Sequence, residues 1–548
     1  MTEPSRVARA LYTLADLAEI RGDTTDAAEY RESAALVATL TPVEAAARIA
    51  PRVRSRVGEL TKAREETILT SARASLPRLH RALLDLSVVD THEAAMLVRR
   101  LEILTLPELQ HALQSGRILD AFDDSLDARL RQAAPAIGSD AGAIPLGRAR
   151  DILETLSTAI TVCSPAVEAL TPSGDVRRYE SLVSELIVVG RSPEPLTAIE
   201  QICLAKGVDG ILHRSGRRVV VATQRTEVDI RVAAPNEYGT VLLSTTGSQL
   251  HVREIRDRGG PLTLAAQEED LYARAGLPFI APELRQGSAE VDAAAAGTLP
   301  RLVSVTDMQG DLHMHTIASD GADTLEAMVE ACCALGYQYI AITDHSERAG
   351  ASRTVSRREV SRQRAEIEAV RERFPQLTIL HGIEVDIMPD GSLDFPDRVL
   401  ESLDIVLASL HDSARQDGKT LTRRCLQAIR HPLVNVITHP ANRLVGRRAG
   451  YPLDYDAIFA AAAETGTALE VDGAPSHLDL EGERAREAIA AGVTLTIDSD
   501  CHRARWLARQ MDLGVGTARR GWVEARHVLN TRSIDDVRAF IAAKRRGR

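Results

Sequence analysis

Two histidines stand one residue apart in GDLHMHTIASDG, residues 310–321, and Asp320 follows just before a glycine. The same spacing recurs in TIDSDCH, where Asp500 and His502 flank Cys501. On an extended chain residues i and i+2 face one side, so His313 with His315, and Asp500 with His502, each aim two donor groups at one point. Such pairs suit a divalent cation. Residues of the same kind close other apolar runs: His345 in AITDHSE, Glu384 in HGIEVD, His411 in ASLH and His439 in ITHP. The nine positions include six of the chain's 15 histidines. Imidazole and carboxylate without thiolate favour Zn, Mn or Fe, and nine ligands are too many for one ion. Two or three ions sharing carboxylates use them all, with Glu384 and Asp500 as the bridges. A lone histidine at a strand end is ordinarily a hydrogen-bonded structural residue, and a lone aspartate there caps the next helix. Nine in convergent positions favour the metal. The chemistry this implies is phosphoester hydrolysis by a metal-bound water attacking phosphorus in line, with no protein nucleophile.

Neighbouring polar residues divide by direction. His381 lies three before Glu384 and points off its face, His431 precedes a proline, and Cys501 faces away from its flanking ligands; none is taken as a ligand. Asp344 and Asp386 suit the supporting role of holding a ligand histidine's second nitrogen, or capping a helix.

Positioning nine residues from distant parts of a chain requires a scaffold whose strand ends meet. The runs YQYIAITDH, LTILHGIE, DIVLASLH, VNVITHP, GTALEVD and GVTLTIDSDCH alternate with helical stretches such as SRREVSRQRAEIEAVRERF and RAREAIAAG. Strand-then-helix alternation predicts a parallel sheet, and over about 250 residues a closed α/β barrel, whose chemistry gathers at the strands' C-terminal ends. Upstream the texture differs. To about residue 140 the apolar spacing is helical throughout, as in VARALYTLADLAEI. From about 150 to 290 short β-like runs (RRVVVATQ, EVDIRVA) mix with helices, which predicts an α+β unit. APELRQGSAEVDAAAAGTLPRLVSV reads as a linker, and the terminal AKRRGR as a solvated basic tail.

At 548 residues the chain divides into several domains. Lys and Arg number 66 against 77 Asp and Glu, a net charge of −11 that argues against indiscriminate polyanion binding while leaving room for a local basic groove. Six cysteines without a CxxC pair, and no signal-like N-terminus, predict a reduced, cytoplasmic protein. No run reaches the roughly 18 apolar residues of a membrane span.

The motifs GDLHMHTIASDG, AITDHSE, HGIEVDIMPDGSLDF, ASLH, ITHPANRL and TIDSDCH strongly resemble the polymerase and histidinol phosphatase (PHP) domain, a distorted (β/α)7 barrel of metal-dependent phosphoesterases. Within that superfamily the motifs resemble the C-terminal domain of bacterial family X DNA polymerases, which is similar to a Mn-dependent 3′–5′ exonuclease. The resemblance implies Mn or Zn as cofactor and an arginine after the HP pair, Arg443, as a substrate-phosphate contact, with Arg447 or Arg448 as lesser candidates. One departure is EVDGAPSHLDL, where the family pattern has Asn at Asp472 and Arg at His477. Upstream, RALYTLADLAEIRGDTTDAAEYRESAALV resembles the lyase-type N-terminal domain, SGDVRRYESLVSELIVVG the palm motif, and GLPFIAPELRQG the segment before the PHP domain. The likeness implies a helical lyase-type, helix-hairpin-helix-like domain at 1–78, fingers-like helices at 79–145, an α+β nucleotidyltransferase-like palm at 146–235, a thumb-like region and linker at 236–300, and the PHP domain at 301–548.

The polymerase body is degenerate. Two palm carboxylates of the family correspond to Glu185 and Ile187, and Ile187 has no oxygen to donate; Asp229 in EVDIRVA remains as the third. Too few ligands are left to fix the two ions of nucleotidyl transfer. The Gly-Ser before the paired arginines is Gly174-Asp175, which puts negative charge where a triphosphate would sit. The hairpin turns near GELTKAREETIL and LDAFDDSLDARL lack their Gly-x-Gly, and Arg177, Arg178 and TTGS at 245–248 read as scaffold. The function expected is a PHP-type phosphoesterase acting at DNA 3′ ends or gaps in repair. The alternatives are a phosphatase for a small phosphomonoester and a non-catalytic repair scaffold.

Overall fold

The computed structural model describes residues 3–61, 65–137, 142–224, 226–351, 353–413 and 415–546. Lys62–Arg64 of the first hairpin-like stretch and the last two residues of the basic tail lie outside the described residues. Two compact units divide the chain: residues 1–143, 149–176 and 184–279 form one, and residues 144–148, 177–183 and 280–548 the other. Among the described residues no helix is long and apolar enough to cross a membrane.

The first unit begins with helices from Glu3–Ile20 to Asp124–Ile137. Their starts follow local chemistry: Asp90 and Thr105 each accept a bond from the backbone of a glutamate three residues on, Glu93 and Glu108, whose side chains bond back. Leu17, Leu83, Leu97 and Leu109 are buried in one apolar core. An α+β half follows, as the sequence predicts. Its sheet comprises β1 (Ala169–Ser173), β2 (Leu186–Arg191), β3 (Gly210–Arg214), β4 (Arg218–Thr223) and β5 (Thr226–Ala233) in the order β1-β2-β5-β4-β3. Only β2 and β5 run parallel, with Ile187 registered against Asp229. TTGS is scaffold here: Thr245 and Thr246 hydroxyls meet the Ser173 hydroxyl at 2.6 and 2.9 Å, and Ser248 accepts from the His251 N–H at the next helix start.

The second unit is a nearly closed barrel of seven parallel strands: β6 (Gly310–Asp311), β7 (Tyr339–Ile342), β8 (Thr378–Asp386), β9 (Ile405–Ser409), β10 (Val436–Ile437), β11 (Ala468–Asp472) and β12 (Leu495–Asp498), hydrogen-bonded in sequence order. Both faces of these strands are buried, which is why they read as continuous apolar runs. Ile340, Ile342 and Ile383 pack with the flanking helices. The alternate residues Tyr339, Ala341, Leu380, Leu407 and Val436 form an inner cluster with Val537 and Ile541 of the last helix, Ile534–Arg546. The inner parity turns polar toward the C-terminal ends, at Glu384, Ser409, Glu470, Asp472 and Asp498.

Between β6 and β12 side chains replace the backbone ladder. Asp498 accepts from Leu312 N–H at 2.8 Å, Asp311 accepts from Ser499 N–H at 3.2 Å, and Asn530 donates to the carbonyls of Gly310 and Ile497 at 3.0 and 2.7 Å.

Two segments differ from the sequence reading. Residues 280–300 are no free linker: Leu284, Arg285, Glu290 and Val291 are buried, and Glu283 accepts from Arg519 at 2.7 Å. The tail is no solvated run either, since Lys544 is buried and donates to the Ile429 carbonyl at 2.5 Å. Its Val537, Ile541, Lys544 spacing makes one helical face.

Candidate metal centre

All nine residues stand at the C-terminal ends of barrel strands or just beyond them. Glu384 is at the centre. Its Oε2 lies 3.4 Å from His313 Nε2, 3.6 Å from His315 Nε2 and 2.8 Å from His345 Nδ1. Its Oε1 lies 3.3 Å from His411 Nε2 and 3.1 Å from His439 Nε2, and accepts from Ser409 Oγ at 2.5 Å. Asp500 Oδ1 is 3.0 Å from His315 Nε2 and 3.6 Å from His313 Nε2. Asp320 meets His345 at 3.5 Å and His502 at 3.3 Å.

Three compact ligand sets are drawn from the nine residues alone, in each of which one donor atom per residue lies within 4.8 Å of the others: His315, Asp320, His345, His502; His313, His315, Asp500; and His345, Glu384, His411. His439 belongs to none of them and touches the centre through Glu384. His439 and Asp500 have positive φ, 25° and 47°, a backbone region costly for side chains other than glycine and concentrated at functional sites.

The donor chemistry fits divalent ions. Glu384 Oε2, His315 Nδ1, His345 Nδ1 and His439 Nδ1 are buried without a hydrogen-bond partner, although several donor atoms stand close to them. Atoms that converge without bonding one another are arranged for something between them. Three histidines have Nδ1 pinned, to Glu470 Oε1 at 2.7 Å (His313), Asp386 Oδ1 at 2.5 Å (His411) and the Asp500 carbonyl at 2.9 Å (His502). Pinning one nitrogen leaves Nε2 of each to face the centre. Burial disfavours charge on His411, but Glu384 and Asp386 overcome it and lift its pKa to about 9. Burial is likewise overcome at His502 by Asp320 and Asp500, again to about 9. At His315 burial, reinforced by His502 and His345, pushes the ring down to about 3. The centre deepens from a half-open rim, where the His502 side chain is 31% and Asp320 21% exposed, to a closed floor at His313 and Glu384.

The supporting residues separate. Asp386 holds His411, whereas Asp344 touches no ligand histidine. Asp344 accepts from Thr316 N–H at 2.7 Å, Ser319 Oγ at 2.5 Å and Gln363 Nε2 at 2.7 Å, pinning the loop between His315 and Asp320. His381 is buried and paired with Gln363 at 3.2 Å. Cys501 is buried, its thiol pushed up to about 12 by that burial.

Sequence reasoning missed Glu470, which bonds both His313 Nδ1 and the His439 N–H, each at 2.7 Å. Its signal was the E-x-D pair at 470/472, two acids on one face of a strand end. Glu470→Gln is expected to weaken metal affinity by about 10–100-fold with the fold retained, as read by competition with a chromogenic chelator. Unchanged affinity would reduce Glu470 to a structural acid.

Arg443 points elsewhere than foreseen. It donates to the carbonyls of His477, at 2.9 Å, and Leu478, and to Glu481 at 2.6 Å. Those bonds make it a holder of the 477–481 loop. It also lines a groove of about 520 Å³ with Arg447, Arg448, Tyr451, Glu481 and Arg484.

In the first unit, the palm-like residues form a self-neutralised network. Asp229 accepts from Arg218 at 2.8 Å and Arg231 at 2.9 Å, and Glu108 accepts from the same two guanidiniums at 2.9 and 2.8 Å. Burial alone would raise the pKa of Asp229, but the two arginines hold it below its usual value. Ile187 is buried beside it, and Asp175 is occupied by Ser184, accepting from its N–H and hydroxyl at 2.9 and 2.6 Å. Burial, with Glu108 and Asp229 nearby, pushes Glu185 from 4.5 up to about 8. The folded state therefore keeps this proton to higher pH than the unfolded chain does, and stability falls as pH rises from about 4.5 to about 8. Glu185→Gln is expected to raise unfolding free energy at pH 8 by about 2 kcal/mol and to change little at pH 4.5. Urea titrations at the two pH values check this, and an equal effect at both would contradict it.

A seven-stranded parallel barrel with imidazoles and carboxylates gathered at its strand ends defines a metal-dependent phosphoesterase of the PHP type. A family profile described as "PHP domain" matches residues 311–449. The "DNA polymerase/3'-5' exonuclease PolX" of Bacillus subtilis (strain 168) is 32% identical over 499 residues, 87% of each chain. The chain belongs to that family, the bacterial family X polymerase-like proteins with a C-terminal PHP domain. A "Probable phosphatase" of Caldanaerobacter subterraneus subsp. tengcongensis is 30% identical over 247 residues, 43% of this chain and 92% of its own length. A solved histidinol phosphate phosphatase from Lactococcus lactis subsp. lactis Il1403, complexed with zinc, L-histidinol and phosphate, is similar at TM-score 0.32 and 18% identity, over 39% of this chain and 94% of that one.

Proposed function

We propose that the barrel is a Mn- or Zn-dependent 3′–5′ exonuclease or 3′-end-processing enzyme of DNA repair, and that the palm no longer polymerises. The observation that carries the reading is Glu384, one buried carboxylate within 3.6 Å of five imidazoles that follow four different strands. His313, His315, Asp320, His345, Glu384, His411, His439, Asp500 and His502 would hold the ions. The compact sets overlap at His315 and His345 and are compatible with two or three ions. When bound, they supply Lewis acidity that activates water near neutral pH and offsets phosphoryl charge. The chain's own part is to keep Nε2 of His313, His411 and His502 aimed inward, to exclude water at the floor and to admit substrate at the rim.

The polymerase-like site supports the second half of the reading. Two guanidiniums already engage both Asp229 and Glu108, so a cation there would have to displace them, and Ile187 offers no ligand.

A 5′-labelled oligonucleotide incubated with Mn tests the proposal: a ladder of shortened products is expected. Hydrolysis of small phosphomonoesters alone would favour a phosphatase instead, a reading supported by a phosphatase relative that matches 43% of this chain over 92% of its own length. Bound metal without turnover on either substrate would favour a scaffold. Primer extension with dNTPs is expected to be absent.

A further inference from the structure

Asp472, His477 and Asp500 each offer one ligand atom within 4.8 Å of the others, forming a set that shares Asp500 with the centre but uses two residues outside the nine. Asp472 is fully buried; its Oδ1 accepts from Ala474 N–H at 2.6 Å, while its Oδ2 has no hydrogen-bond partner. A buried carboxylate oxygen left unbonded is costly unless something positive or protic occupies its free side. His477 is oriented as a ligand would be. Its Nδ1 donates to the Arg443 carbonyl at 2.9 Å, which leaves Nε2 with its lone pair.

The backbone brings the two together deliberately. After Asp472 the chain makes an excursion and returns, with Asp472 N–H donating to the Asp479 carbonyl at 2.6 Å and Leu480 N–H to the Glu470 carbonyl at 3.0 Å. A turn from Ala474 to His477, closed at 2.9 Å, swings the imidazole back. Gly473 is locked at the start of this loop: a Cβ there would lie 2.1 Å from the Gln510 carbonyl oxygen, so only glycine fits.

These are the two positions at which the sequence departs from the family pattern of Asn and Arg. Exchanging Asn for Asp removes one unit of charge, and exchanging Arg for neutral His removes another. A doubly charged cation held by the pair returns the local charge to that of the family pattern.

We propose that Asp472, His477 and Asp500 hold an additional divalent cation, of the Zn or Mn type, beside the ions of the nine-residue centre. The proposal rests on the metal reading of that centre. The added ion would place positive charge next to the 477–481 loop.

The test is metal stoichiometry by mass spectrometry on the full-length protein, loaded with ZnCl2 or MnCl2 and passed through a desalting column. Asp472→Asn with His477→Arg, which restores the family pair, is expected to carry one ion per chain fewer than the wild type. Equal, non-zero content in the two proteins would overturn the added site and leave the main centre standing; a proton shared between Asp472 and Asp500 would give that result. A wild type with no bound metal would instead overturn the centre itself. Should the double variant fail to fold, His477→Gln, which can still donate to the Arg443 carbonyl, is expected to show the same loss of one ion, and unchanged content there overturns the proposal equally.

Discussion

Glu384→Gln is expected to lower Mn-stimulated phosphodiester hydrolysis on the order of a thousandfold or more, because the site's ions both activate the nucleophile and offset charge on phosphorus. The change keeps the side chain's size and one oxygen while removing the charge. That charge is what gathers the site: Oε2 faces His313, His315 and His345, and Oε1 faces His411 and His439. Ser409 and Thr438 hold Oε1 from behind, at 2.5 and 3.2 Å, and can still meet an amide oxygen, so the barrel should fold. Steady-state rates beside far-ultraviolet circular dichroism check this. A well-folded variant within fivefold of wild type would remove Glu384 from the centre.

Removing the metal should have a comparable effect. Dialysis against a strong chelator is expected to bring hydrolysis to the uncatalysed level, and added Mn to restore it, because deprotonated imidazoles and carboxylates hold the ions by equilibrium binding. Reloading should release protons, since Glu384 and Asp386 keep His411, and Asp320 and Asp500 keep His502, protonated up to about pH 9 without an ion. Activity that survives in protein shown by elemental analysis to be metal-free would contradict the assignment.

Much of the barrel was legible because its strands are buried on both faces and end in chemistry-bearing residues. Each apolar run stopped where a His, Glu or Asp began, and the i, i+2 pairs at 313/315 and 500/502 fixed a common direction. The supporting residues were harder. Glu470 stands in a strand whose second acid, Asp472, departs from the family pattern, and nothing in TALEVD says which imidazole it reaches. Asp344 looked like a partner for a histidine but serves a loop, a distinction that depends on where Thr316 and Ser319 turn. The β6–β12 seam was illegible, since Asp311, Asp498 and Asn530 do there what backbone pairing does elsewhere. Composition misled at residues 280–300 and at the C-terminus: the packing of the first is carried by Leu284, Arg285, Glu290 and Val291 among exposed small residues, and Lys544 lies on a helical face whose other members are apolar. In the palm, the loss at Ile187 was plain, but the arginines that fill its place come from β4 and β5 and became visible only once Ile187 and Asp229 were seen in register.

The barrel's chemistry depends on strand-end imidazoles and carboxylates holding a cluster of cations. Anomalous diffraction from crystals of the full-length protein soaked in MnCl2 tests this most directly. Two or three strong manganese peaks are expected among His313, His315, Asp320, His345, Glu384, His411, His439, Asp500 and His502, with Glu384 and Asp500 each reaching more than one. Well-ordered side chains at these positions with no anomalous peak between them would contradict it.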